Sequence, residues 1–165
     1  MKKMVLIFAI SFIALFISGC GGSKVLNLPK QAVEREMGQD DVYNAILKAG
    51  NRKGWYIKQL SDGQAKGELF VRKHEAVIII DYTATSYSVT YQSSKNLNYD
   101  ASSGKIHPGY NKWILGLKQQ IDIELKRLNL QESSQNVSQA KAKINQKVKV
   151  EEDAKAEEFI PVKSW

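Results

Sequence analysis

Between Tyr110 and Leu128 the chain carries Tyr110, Trp113, Ile114, Leu117, Ile121, Leu125 and Leu128, spaced mostly three or four residues apart. That spacing puts these apolar side chains on one stripe of an α-helix, about five turns long. Pro108 stands where a first helical position tolerates a missing N–H. Such a stripe is stable in water only under a second apolar layer of matching length. The rest of the chain must supply that layer.

Four strand candidates precede the stripe and suit the task. Trp55 to Leu60 ends at the turn sequence Ser61-Asp62-Gly63, and Gly67 to His74 alternates apolar with polar. Ala76 to Thr83 contains Val77-Ile78-Ile79-Ile80, apolar on both faces, which predicts a central strand. Tyr87 to Gln92 alternates again, and the short connections predict an antiparallel meander. A first helix is predicted from Asp40 to Lys53, with Val42, Ala45, Ile46 and Ala49 on one face and Gly54 as its cap. The expected fold class is α+β: helix, four-stranded antiparallel meander, helix, as a two-layer sandwich with both helices on one sheet face. The domain is expected to span 39–130, with Trp55 anchoring the first strand in the core.

The N-terminus has a different grammar. Lys2 and Lys3 precede an apolar stretch from Met4 to Ile17 broken only by Ser11, and Ile17-Ser18-Gly19-Cys20 follows. This order predicts a removable signal peptide over 1–19, too short and wrongly flanked to span a membrane. Ile-Ser-Gly-Cys resembles the lipobox of bacterial lipoproteins. The resemblance implies cleavage between Gly19 and Cys20 and lipidation of the Cys20 thiol. A soluble periplasmic protein with a stray cysteine beside its cut site is the plainer alternative. Cys20 is the only cysteine, so no intramolecular disulfide forms and no metal site rests on thiolates. A free thiol is a liability in an oxidising compartment, whereas acyl chains on it anchor a protein at about 0.8 kcal/mol per buried methylene. Gly21 rather than Asp follows, which resembles lipoproteins sent to the outer membrane of a Gram-negative envelope, facing the periplasm.

Residues 20–38 open with Gly-Gly-Ser and carry Pro29, and are expected to form a flexible tether. Residues 131–165 are rich in Gln, Asn, Ser and Lys and then acidic. They predict a polar, disordered tail, or at most a marginal solvated helix, because too few apolar residues offset the entropy of ordering. The tail closes on an apolar end from Phe159 to Trp165. That end suits strand addition to a partner or folding back on the domain's own open sheet face. The whole chain has 24 Lys and Arg, two of them in the leader, against 17 Asp and Glu. A basic excess of this size favours an anionic membrane surface or wall polymer. It is too dispersed for a nucleic-acid footprint, so no nucleic-acid partner is expected.

No catalytic motif stands out. His74-Glu75 has no HExxH continuation, and no Gly-x-Ser-x-Gly elbow or phosphate-cradling loop occurs. No catalytic residue, metal or cofactor is therefore expected. His74 reads as a strand-face residue and His107 as a helix-start residue bonding exposed amides. Polar groups gather where the last strand leaves the sheet, within 94–111. Asn96, Tyr99, His107 and Asn111 are the candidates for a ligand- or partner-binding surface there, with Phe159 and Trp165 at the tail. The plainer reading puts Tyr110 and Trp113 in the core and uses Asn96 and Asn98 to shape a turn.

Gly54-Trp55, Arg72-x-His74-x-Ala76, Ile80-x-Tyr82, Ser94-x-x-Leu97-x-Tyr99 and Ile106-His107-x-x-Tyr110-Asn111-x-Trp113 together resemble a group of small Gram-negative lipoproteins, over about Val42 to Leu128. The resemblance implies an envelope domain and brings no mechanism. The long charged tail departs from that group's compact form. The functional expectation is a lipid-anchored, non-enzymatic binding or adaptor module for another envelope component. A lipid-anchored hydrolase or wall-modifying enzyme is the alternative, needing His107 with Asp100 or a tyrosine. An inhibitor or immunity-type protein is another.

Overall fold

The computed structural model describes residues 22–157. The expected signal over 1–19, the Gly19–Cys20 cleavage and lipidation site, and the closing segment with Phe159 and Trp165 lie outside the described residues.

The chain order is β1 (Ser23–Lys24), β2 (Leu28–Ala32), α1 (Gln39–Arg52), β3 (Trp55–Ser61), β4 (Gln64–Val71), β5 (His74–Thr83), β6 (Ser86–Lys95), β7 (Lys105–Ile106) and α2 (Pro108–Glu157). The fold is α+β. Strands β3 to β6 form the expected antiparallel meander, and β5 is the middle strand of the sheet order β2-β6-β5-β4-β3. Strands β1 and β7 make a separate small ladder, Ser23 opposite Ile106 and Lys24 opposite Lys105.

Alternation decides which face is covered. Trp55, Ile57, Ala65, Leu69, Ala76, Ile78, Ile80, Tyr82, Tyr87 and Val89 point to one side and are buried in one cluster with the helices. From α1 that cluster takes Val42, Ala45, Ile46 and Ala49, and from α2 Tyr110, Ile114, Leu117, Ile121 and Leu125. Burying each large apolar side chain contributes roughly 2 kcal/mol, so the stripe of α2 is the largest single source of cohesion. The other sheet face is open, with Tyr56 and Phe70 more than 60% exposed at 62% and 65%. A carboxylate joins the helices: Glu124 on α2 is buried and accepts from Arg52 on α1 at 2.9 Å and from Arg127 at 3.1 Å. Gln120 donates to the same carboxylate at 2.9 Å.

Two expectations are corrected. Residues 22–38 are not a flexible tether. They contribute β1 and the fifth strand β2, and bury Leu28, Val33 and Met37. Strand β2 pairs with β6 through a register shift between Leu28 and Gln31, around Pro29. An edge strand tolerates proline because one side of its backbone needs no partner, and the shift hides the two-residue period. Residues 131–157 are not disordered either: of the two alternatives the solvated helix is the one found, since α2 continues through them as an exposed helix. Its Ala, Lys, Gln and Glu content favours helix. Ser133, Ser134 and Ser138 each donate to the carbonyl four residues back. The 50 residues of α2 make a rod of about 75 Å.

Helix α1 ends as its sequence suggests, with Gly54 at φ 77° just past the cap. Gly50 serves closeness instead: a Cβ there would lie 2.3 Å from Ile57 Cγ1 and 2.9 Å from Ile57 Cδ1. Alanine gains about 1 kcal/mol of helix propensity over glycine, but overpacking costs about 1–3 kcal/mol, and this clash is severe. Gly50→Ala is predicted to destabilise by about 1–2 kcal/mol net, read as a lower urea midpoint at unchanged slope.

Candidate functional site

Strand β6 ends at Lys95, and the next three residues make a tight reversal. Asn96 and Asn98 have φ of 57° and 49°, in the left-handed region where asparagine is among the better tolerated residues. Between them Leu97 is turned into the core, 1% exposed. The reversal therefore buries one apolar side chain and leaves amides on either side. Asn96 Nδ2 donates to the Lys73 carbonyl at 2.6 Å, and His74 Nδ1 donates to the Asn96 carbonyl at 2.7 Å. The Leu97 carbonyl accepts from His107 N–H at 2.8 Å, which ties the reversal to the start of α2.

His107 fills the helix-start role. Its Nδ1 accepts from Gly109 N–H at 3.0 Å, satisfying one of the free amides of the first turn. Nδ1 is therefore the acceptor in this arrangement, which leaves Nε2 to act as the donor. His74 packs flat against it, with ring centroids 5.9 Å apart and planes at 22°. His74 was expected only as a strand-face residue. Nothing in its local sequence signals the stacking, which arises because the β4–β5 turn and the β6–α2 connection end at the same corner.

Asn111 faces another direction. Its Oδ1 accepts from Leu26 N–H at 3.0 Å, and its Nδ2 donates to the Lys24 carbonyl at 2.8 Å. Both ends of the amide thus hold residues 24–26 against the first turn of α2. Asn27 extends the clasp by accepting from Tyr91 N–H at 2.7 Å, in place of a ladder bond. Tyr99 is 40% exposed and leans on Tyr91, centroids 4.5 Å apart. Tyr91 in turn meets Tyr110 edge-on at 5.4 Å. Tyr110 is fully buried, as the plainer reading expected, and burial pushes its hydroxyl pKa up. Of the candidate residues, the fold brings Asn96 and His107 together with His74, sets Tyr99 on Tyr91, and assigns Asn111 to the N-terminal segment.

Asp100 closes the corner. Its carboxylate accepts from the Ser103 hydroxyl, the Ser102 hydroxyl and Ser102 N–H, and these bonds lower its pKa to about 2. The acid is committed to its own turn, and His107 to Gly109, so neither bonds the other in the manner an acid–base pair requires. The cleft between them, about 170 Å³, is lined by Gly22, Asn98, Asp100, Ser103, Lys105 and His107 among others. A second cleft of about 250 Å³ lies at the opposite end, between β2 and α2, beside Val33, Lys118, Asp122 and Asn129. It depends on β2 and so on the segment expected to be a tether. Among the described residues no three His, Asp or Glu side chains come together as a metal site.

Two outcomes test this geometry. Asn111→Leu removes both clasp bonds and is expected to destabilise by about 1–3 kcal/mol. It should also speed amide hydrogen exchange at Leu26 well beyond the change at Ile78. Asp100 should titrate at about 2 by carboxyl NMR, moving up toward the usual range in Ser103→Ala. Because the folded value is depressed, the turn's stabilisation is complete above the ordinary aspartate range. It is lost as pH falls toward the folded value.

No protein-family model matches the chain, and neither a curated protein nor a solved structure matches it, so the functional reading rests on this geometry.

Proposed function

We propose that the chain is a lipid-anchored envelope lipoprotein that acts as a non-enzymatic adaptor. In this reading Cys20 carries the lipid, and the protein sits in the outer membrane facing the periplasm if the envelope is Gram-negative. The observation that carries it is that the two ends of the protein point to different tasks. Gly22, two residues after Cys20, packs against Lys105 and Ile106 at the corner where α2 starts. Helix α2 then runs the length of the domain and beyond it. Past Gln135, which lines the last cleft against α1, it extends for about 33 Å.

The described side chains of that overhang take no part in the domain's own core. Val137, Ile144 and Val148 along it are 55–67% exposed. Residues 158–165 reach at most about 28 Å when extended. The reach is shorter than the overhang, which favours docking of Phe159 and Trp165 to another molecule over their folding back on the domain's own sheet. An envelope protein engaged by this tail, or by the 94–111 corner, is the partner class that fits.

The test has two parts. Cys20→Ser should abolish incorporation of labelled palmitate and release the protein from the membrane fraction. In-cell photo-crosslinking from position 144 should trap one specific envelope protein, and removal of residues 136–165 should abolish that partner's co-purification. Palmitate on the Cys20→Ser variant, or the same partner recovered without the tail, would overturn the tail-docking adaptor.

A further inference from the structure

The corner end of the domain is basic. Lys24, Arg72, Lys73, Lys105 and Lys112 are exposed there, and none of them makes a salt bridge among the described residues. They surround one cluster. Lys73 gives its carbonyl to Asn96, Lys105 precedes the Ile106-His107 pair, and Lys24 gives its carbonyl to Asn111 beside Lys112. Two carboxylates share this end: Glu75 is paired with Lys95 at 2.7 Å, and Asp100, held by Ser102 and Ser103, keeps its negative charge, so the five cations face one unpaired anion. The opposite end carries exposed Asp40, Asp41, Asp62 and Asp81, joined through Gln39–Asp62 and Gln64–Asp81 hydrogen bonds. The domain is therefore charged unequally along its strands.

The chain also fixes where the basic end must lie if Cys20 is acylated. Gly22 is already packed, since a Cβ on it would sit 3.2 Å from the Ile106 carbonyl oxygen and from Lys105 Cβ. The Cα of Cys20 is within about 7 Å of that of Gly22, whatever the intervening conformation. That is less than one Debye length, about 8 Å at physiological salt, so the anchor holds the part of the basic end beside Gly22, Lys105 first, where bilayer charge is only partly screened. Tyr99, 40% exposed on the same end, has the amphipathic character of residues that settle at headgroup depth.

We infer that this basic end is the membrane-facing surface of the anchored protein, binding the phosphates of acidic phospholipids such as phosphatidylglycerol in the leaflet that holds the Cys20 lipid. The inference rests on the lipoprotein reading and adds an orientation to it. The unequal charge turns the acidic end away from the same surface. Asn111 is then the residue that joins the seated corner to the helix leaving it.

The test uses full-length acylated protein. Cys20 is the only native cysteine and its thiol is blocked, so Ala101→Cys or Ser61→Cys supplies a single labelling site. Position 61 lies about 20 Å further along the strands than the corner. A fluorophore at each site is placed in vesicles of phosphatidylethanolamine and phosphatidylglycerol that contain a headgroup-nitroxide lipid. Quenching at position 101 should exceed that at 61 by about threefold or more. The excess should fall at least about twofold when phosphatidylglycerol is replaced by phosphatidylcholine. The same loss is expected when the basic-end lysines and Arg72 are changed to Gln, in a variant whose thermal melt matches the parent. Equal quenching at both sites, or an excess indifferent to lipid charge, would overturn the inference. So would cation-dependent retention on isolated peptidoglycan without dependence on phosphatidylglycerol, which would assign the face to a wall polymer. The N-terminal peptide is weighed first: absence of acyl mass on Cys20 overturns the lipoprotein reading itself, whereas equal quenching of acylated protein overturns only the orientation.

Discussion

Ile78 and Ile80 lie at the centre of the middle strand, fully buried in the cluster that also takes in Ile114, Leu117 and Ile121 of α2. Burial of that strand face together with the helix stripes is the constraint on which the remaining packing depends. Neighbouring strands present their apolar residues in register with it: Ala65 opposite Ile80, Leu69 opposite Ala76, and Ile80 opposite Val89. Helix α1 fills the flank over β3 and is drawn in closely enough that Gly50 admits no Cβ. Buried Glu124 then holds the two helices together through Arg52. A buried carboxylate is costly without partners, so its partners specify how the helices sit as much as they stabilise them.

The sheet and its cover were legible because both follow simple periods. Val77-Ile78-Ile79-Ile80 could hardly be anything but a central strand, and the stripe from Tyr110 to Leu128 needed that sheet. Strand β2 was not legible, because Pro29 and the register shift erase alternation, and Asn27 replaces a ladder bond with a side chain. The helix beyond Leu130 is legible only as the lesser alternative to disorder, for a different reason. Apolar content reports burial, and an exposed helix is supported instead by propensity and local bonding, visible here as Ser133, Ser134 and Ser138 bonding their own helix backbone.

The corner was read half correctly. His107 bonds the helix-start amide expected of it, and Asn96 shapes the turn expected of it. Asn111 shows why local sequence stops short of assigning roles. Its amide stands in a run of polar and aromatic groups that resembles a binding surface, yet both its hydrogen-bonding ends are used by the backbone of residues more than eighty positions earlier. No local pattern carries that information, because it depends on where the N-terminal segment returns. Candidate residues on such corners therefore divide by a simple question: whether the side chain's hydrogen bonds are already used within the fold.

Helix α2 has a mechanical meaning as well. The roughly 33 Å of α2 past Gln135 is a lever, and a tilt of about 10° where it leaves the domain moves its tip by about 6 Å. The angle there is governed by the end of the apolar stripe, where Leu125 and Leu128 pack on the core, and by Arg35 against Glu132. How widely the tip searches is thus decided by two contacts far from it. Loosening either one enlarges the volume swept without altering a single residue at the end of the chain.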